Sequence, residues 1–426
     1  MTRVQEPTGR WRVAMVAACP FPSLRGSQVL IQEVAHALAE RGHEVHLVTY
    51  AHGENLVPFH GVFVHRIRAP RFATRHGGFG WRRFVLDLCL GWTLYRVVRS
   101  NQIQVIHAHN YEAPIISYFV RLLTKVPVVY HAHNALSDEL GHYVTAGWRR
   151  ALASRFGSLL DGQVPRRADF SIALTAELEG FLSGHGVRRD RLAVVAPNAP
   201  APIPPRGAVD GEFDQRFTVM YTGNLDPYQD LDVLFDAFGQ FRVKVSDALL
   251  VVVTHEPDWA RRIGGVAREL IREGALRVVP ASTFSVVRRM MTHADILVCP
   301  RSSWSGFPVK LLNYLAAGRP VVCAEGSAKV VADGETALVF RNRDSRDLAL
   351  ALWRLSDDAA LRERLSAGAR ALAGAFARHL TVTKIEQIYA SCVPTQSDRL
   401  FEFTDRRRRA QRLLGAWAAR IRTTST

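Results

Sequence analysis

The sequence is short of cysteine and of lysine, and it holds no long apolar run. Its five cysteines, Cys19, Cys89, Cys299, Cys323 and Cys392, form an odd, dispersed set without metal-ligand spacing. That excludes a disulfide scaffold or a zinc module and points to reduced structural thiols in the cytoplasm. No apolar stretch reaches the roughly 18 residues that a membrane-spanning helix needs. The opening segment MTRVQEPTGRWRVAMVAACPFP has too short an apolar stretch for a secretory leader and reads as a first β-strand. Of 55 basic residues only Lys125, Lys244, Lys310, Lys329 and Lys384 are lysine, and 39 acidic residues leave a net charge of +16. Such a surface attracts anionic lipid, nucleotide or nucleic acid without choosing among them. Charge is the sole argument for nucleic acid, which is not an expected partner.

What the chain does have is length and alternation. Its 426 residues exceed what one core usually holds, so two domains are expected. Strand-like runs at Arg12–Ala18, Glu44–Thr49, Val105–His107, Val126–His131, Phe170–Leu174 and Ala193–Ala196 are separated by helix-length segments, which implies a parallel sheet built from βαβ units. The run Ala199–Pro205, APAPIPP, breaks this pattern, and the alternation restarts at Phe217–Tyr221. We therefore expect an α/β chain of two Rossmann-like domains, residues 1–205 and 206–390, with a ligand in the cleft at the carboxyl ends of the strands. Residues 391–426 form a tail. Within it Arg406–Arg409, Arg412, Arg420 and Arg422 frame Leu413, Leu414, Trp417 and Ile421 on one helical face, which suits either an anionic membrane surface or a solvated end.

The most informative segment is CPRSSWSGFPVKLLNYLAAGRPVV, Cys299–Val322. It reads as a strand end, a Ser/Gly-rich loop and a short helix that starts at Pro308 and stops at Gly318. Proline suits a first helical turn, and glycine suits the left-handed residue beyond the last. Small residues feeding a helix N-terminus present unpaired N–H groups and a positive dipole end, a ready site for phosphate.

This segment resembles the donor-binding motif of the retaining glycosyltransferases of family 4, which have the GT-B fold. Gly306, Phe307, Leu311, Leu312 and Gly318-Arg319-Pro320-Val321 stand in matching places, while the two glutamates of that motif are replaced by Ser305 and Asn313. The resemblance spans roughly residues 12–390. It implies a metal-independent transfer of a hexose, with retention, from a nucleotide-diphosphate sugar to a glycan or lipid-linked acceptor in cell-envelope polysaccharide or glycolipid synthesis. The sugar nucleotide is a co-substrate, and no cofactor is expected. By the same resemblance Gly26 approaches the donor diphosphate, and His131, after the strand Val126–Tyr130, contacts the transferred sugar with Ser305. Two cations usual in the family after the glycine of YTGNLDPYQD are here Asn224 and Gln229. Lys310, in the first turn of the phosphate-facing helix, is the natural substitute, with Arg301 and Lys329 as further candidates. The replaced acids leave a second reading open, a catalytically silent relative that binds a sugar nucleotide or glycan.

Three further expectations follow from the residues. The pairs His107/His109 and His131/His133 are expected to leave their strands on opposite faces, which argues against a metal site. Asp230 and Asp232 are expected to cap a helix start. Arg66–Arg83, rich in Arg, Phe and Gly, suits a headgroup interface beside the acceptor or a solvated loop.

Overall fold

The computed structural model describes residues 9–393 apart from 23–25, 52–58, 69–80, 144–146, 201–215 and 282–283. Most of the linker Ala199–Pro205, the centre of the Arg66–Arg83 segment and the basic tail therefore lie outside the described residues. Two parallel sheets carry the molecule. The first contains β1 (Arg12–Ala17), β2 (Glu44–Thr49), β3 (Val62–Arg66), β4 (Val105–His109), β5 (Val128–Ala132), β6 (Phe170–Ala173) and β7 (Leu192–Val194), in the order β3-β2-β1-β4-β5-β6-β7. The second contains β8 (Thr218–Thr222), β9 (Leu249–Thr254), β10 (Leu276–Pro280), β11 (Ile296–Cys299), β12 (Val321–Ala324) and β13 (Leu338–Phe340), in the order β10-β9-β8-β11-β12-β13. Every central strand is buried along most of its length, as a sheet covered on both faces requires. Strand order reverses at β1/β4 and at β8/β11, and such switch points open a crevice at the strands' carboxyl ends.

Five helices of the first domain matter below: α1 (Gly26–Glu40), α2 (Trp81–Ser100), α3 (Glu112–Thr124), α4 (Leu136–Tyr143) and α5 (Gly147–Arg166). Leu30, Ile31, Val34 and Leu38 of α1 pack on one face of the sheet, with Val13, Met15 and Leu47. Leu90, Leu94, Ile116 and Val120 of α2 and α3 pack on the other, with Ala14, Val16 and Ile106.

The helix Arg378–Cys392 closes the segment assigned from sequence to the second domain, yet it packs on the first. Its Arg378 pairs with Glu33 and Glu40 of α1, and its buried Glu386 accepts from Arg41 and meets His43 Nε2 at 2.8 Å. Tyr389 reaches His107 Nδ1 at 2.6 Å. No helix among the described residues is long and apolar enough to cross a membrane.

Candidate active site

The pocket forms where β8, β11 and the helix Val309–Ala317 end or begin. Pro308 stands at the helix N-cap, and Gly318 terminates it at φ 64°, its N–H donating to the Leu315 carbonyl at 3.0 Å. Gly26, at the start of α1, faces this helix start across the cleft. The pocket is lined by Gly26, Asn224, Gln229, Arg301, Phe307, Lys310 and Asn313 together with Tyr228, His255 and Val309. Seven candidates widely separated in sequence thus meet in one cavity. Gly306 lies at the seam between the domains: a Cβ there would sit 3.0 Å from the His133 carbonyl oxygen, and its φ of 75° favours glycine independently.

Lys310 is the electrostatic centre of the pocket. Its ammonium donates to Tyr221 OH and to Gln229 Oε1, each at 2.7 Å, and lies 4.0 Å from the centroid of the Tyr221 ring. Gly223, at φ 140°, leaves room for it, since a Cβ there would stand 2.9 Å from Lys310 Nζ. Burial, opposed by Cys299 and aided by the nearby Arg301, pushes the ammonium down to about 7. Both hydrogen-bond partners are uncharged, so the cation is enclosed without a carboxylate. Arg301 lies over Tyr228, 5.4 Å from the ring centroid, and donates to the Ser305 carbonyl at 2.5 Å. Its Nε is buried with no partner among the described residues. Asn224 and Gln229 bond each other at 2.7 Å, so Gln229 connects Asn224 to Lys310. Lys329 is not a pocket residue: it pairs across the cleft with Glu177 at 3.4 Å.

Ser305 and His131 stand apart from the pocket lining. Ser305 is buried, and its hydroxyl donates to Asp138 Oδ2 of α4 at 2.5 Å. His131 lies deeper, its Nδ1 3.1 Å from His107 Nε2. The histidine that meets the Ser302–Gly306 loop is His133, through its main-chain carbonyl beside Gly306. The expectation of opposite faces fails, because residues two apart in a strand share a face. His107, His109 and His131 therefore cluster, with ligand atoms within 4.8 Å of one another, a set of three that could hold a metal ion. Their rings, however, are stacked, His107 against His109 at 4.5 Å and 17° and against His131 at 5.1 Å and 16°. Both nitrogens of His107 are already engaged, Nδ1 with Tyr389 OH and Nε2 with His131 Nδ1, so His107 has none to spare for an ion. Burial pushes His107 and His133 down to about 3, and His109 and His131 well below the usual range. The set is neutral and only partly bonded, since His109 Nε2, His131 Nε2 and His133 Nδ1 are buried with no partner among the described residues.

Two family models match the chain in order: "Glycosyl transferase 4-like domain" over residues 25–198, and "Glycosyl transferases group 1" over residues 216–358. The chain is a glycosyltransferase of the GT-B fold. Relatives include D-inositol 3-phosphate glycosyltransferases from Geodermatophilus obscurus, 27% identical over 86% of this chain and 84% of that protein, and from Thermomonospora curvata, 26% identical over 87% and 91%. Among solved structures, sucrose-phosphate synthase from Thermosynechococcus elongatus superposes with a TM-score of 0.74 at 16% identity, over 89% of this chain and 98% of that one. Anabaena HepE in complex with UDP and glucose follows the same fold, with a TM-score of 0.68 at 16% identity over 90% and 100%.

Sequence reasoning missed two carboxylates of this glycosyltransferase. Asp230 stands at a helix start as expected, but its side chain does not cap the helix. It accepts instead from Ser302 N–H at 2.8 Å and Ser302 OH at 2.5 Å, and pairs with Arg343, which also holds Asp232. Asp230 thus pins the loop that carries Arg301 and Ser305. Its φ of 52° was the signal that sequence could not give. Asp138 comes from the facing domain and accepts from both Ser303 and Ser305. A carboxylate therefore reaches Ser305 from the other side of the cleft.

Proposed function

We propose that the glycosyltransferase moves a hexose from a nucleotide-diphosphate sugar to a glycan or lipid-linked acceptor in cell-envelope polysaccharide or glycolipid synthesis, with retention and without a metal ion. The observation that carries this reading is the Lys310 ammonium, enclosed by uncharged partners at a helix N-terminus beside the unpaired Arg301 Nε. An anion there gains a cation, free donors and a positive dipole end at once. Gly26 leaves main chain open to the same space from the other domain. The relative HepE, in complex with UDP and glucose, supports a diphosphate as that anion.

In this reading Lys310 and Arg301 hold the diphosphate and stabilise the charge that develops on the departing nucleotide. Asn313 accepts a hydrogen bond from the nucleotide's ribose. Ser305, held by Asp138, and His133 or His131 border the sugar. The catalytic work is positioning and charge stabilisation, so the loss of two motif acids is compatible with turnover. The enzyme acts in the cytoplasm, at the inner face of the membrane that holds its acceptor.

The test is nucleotide release from a panel of sugar nucleotides, with and without lipid extract, in EDTA. Release of UDP or GDP with one donor, lost in Lys310→Ala, is expected. Tight nucleotide binding without turnover across a broad acceptor panel would instead identify a silent binding protein.

A further inference from the structure

We propose that the outer faces of α2, α3 and α5 form a docking surface for an anionic phospholipid bilayer. α2 and α3 lie side by side over one face of the first sheet, and α5 adjoins α3. α2 packs on α3, and α3 meets α5 where Tyr118 OH donates to the Val164 carbonyl at 2.6 Å. The inner faces of α2 and α3 are buried in the core, and α5 packs on α4, so what remains is the outer face.

That face is apolar. On α2, Phe84, Leu88 and Trp92 recur every fourth residue and form a ridge. Phe119, Leu122 and Leu123 continue it on α3, and Trp148, Leu152, Phe156 and Leu159 on α5, each more than half exposed. Of the sixteen large hydrophobic side chains exposed among the described residues, ten stand on these three helices. Scattered apolar residues are ordinary on a surface, whereas a contiguous field of this kind marks a contact.

The charges choose the occupant. Each of the three helices contains one acidic residue, and each of those is turned inward. Asp87 accepts from Tyr50 OH, Glu112 from Arg83, and the fully buried Asp161 from Ser137 and from the Leu136 N–H. Exposed cations border the ridges instead, at Arg96 and Arg99 of α2, at Lys125 just after α3, and at Arg155 and Arg166 of α5. A second copy of this chain placed on the patch would set these cations against one another. A bilayer of anionic headgroups accepts the apolar tips at its acyl boundary and the cations at its surface. This deepens the proposal of a membrane-held acceptor and rests on it for its purpose, not for its test.

The test uses the full chain, tail included, with vesicles of phosphatidylcholine alone and of phosphatidylcholine mixed with phosphatidylglycerol. Salt-sensitive co-sedimentation with the mixed vesicles is expected, together with far weaker binding to phosphatidylcholine alone. Leu122→Glu/Leu123→Glu on α3 and, separately, Trp92→Glu on α2 are each expected to lower the partition coefficient about tenfold or more. Thermal midpoint and nucleotide binding should stay unchanged, which excludes misfolding as the cause. Three results would overturn the proposal: equal binding to both kinds of vesicle, variants that bind like the parent because the tail does the work, or a lipid-free dimer that the substitutions dissolve. Nucleotide release is read separately, so a failed donor assay with intact vesicle binding indicts the catalytic reading alone.

Discussion

Each domain buries a polar cluster near the carboxyl ends of its central strands, and the two clusters are built for opposite ends. In the first, His107 bonds Tyr389 and His131, and His109 bonds His133, while burial holds the rings neutral; one nitrogen on each of His109, His131 and His133 is left without a partner among the described residues. In the second, burial also disfavours charge, yet Lys310 has only a phenol and an amide for partners, and Arg301 keeps one N–H unspent. Desolvation acts alike on both, so it is the neighbours that differ. Imidazoles meet burial by staying neutral, whereas a lysine ammonium held by uncharged partners gains from an incoming anion.

The largest effect expected from breaking this contrast is at Lys310. Lys310→Ala should lower kcat/KM about 100-fold or more, as removal of one charge-stabilising donor does. A value within a few-fold of the parent would take the diphosphate elsewhere. The pH dependence sharpens the point. The free ammonium titrates near 7 and an anionic donor binds its protonated form, so donor affinity should be full below 7. Above that it should weaken about tenfold per pH unit until the raised pKa of the bound state is passed. Lys310→Arg should flatten this profile, measured by calorimetric titration of the nucleotide.

Next in size is the loop anchor. Asp230→Ala leaves the Ser302 donors unpaired and puts a Cβ-bearing residue without local hydrogen bonds at positive φ, a combined cost of about 2–4 kcal/mol. Asp230→Asn, which tolerates that backbone, should recover part of it in denaturant titrations.

The histidine cluster should show itself in acid. Its folded pKa values lie below the unfolded value near 6.5, so the stability of the neutral rings is present above that pH. It is lost as pH falls through 6 towards 3, because the unfolded chain binds the protons first. His107→Gln should shift the acid midpoint, and an unmoved midpoint would deny the cluster its role. The smallest change is at Ser305→Ala, where one hydrogen bond to Asp138 is worth about 1 kcal/mol and kcat/KM should fall by less than about tenfold. A larger loss would give Ser305 a direct part in the reaction.

Much of this was legible from local pattern. The strand Glu44–Thr49 was read with the bounds that the structure gives it, and Arg12–Ala18 and Phe170–Leu174 to within one residue, because continuous apolar runs between helix-length segments have few other solutions. Pro308 and Gly318 marked the helix Val309–Ala317 for the same local reason. The helix Arg378–Cys392 was missed, because its apolar and polar residues are spread around its axis and its partners are α1 and the first sheet, hundreds of residues away.

By itself, then, the sequence determined the parallel α/β architecture, the helix start at Pro308 and its end at Gly318, since each is written in neighbouring residues. Only the tertiary structure decided that Lys310 lies enclosed between Tyr221 and Gln229, that Asp138 and Asp230 hold the Ser302–Ser305 loop from two sides, and that the histidines face one another. Those are contacts between distant segments, and burial, which sets their charge states, exists only once the chain has closed around them.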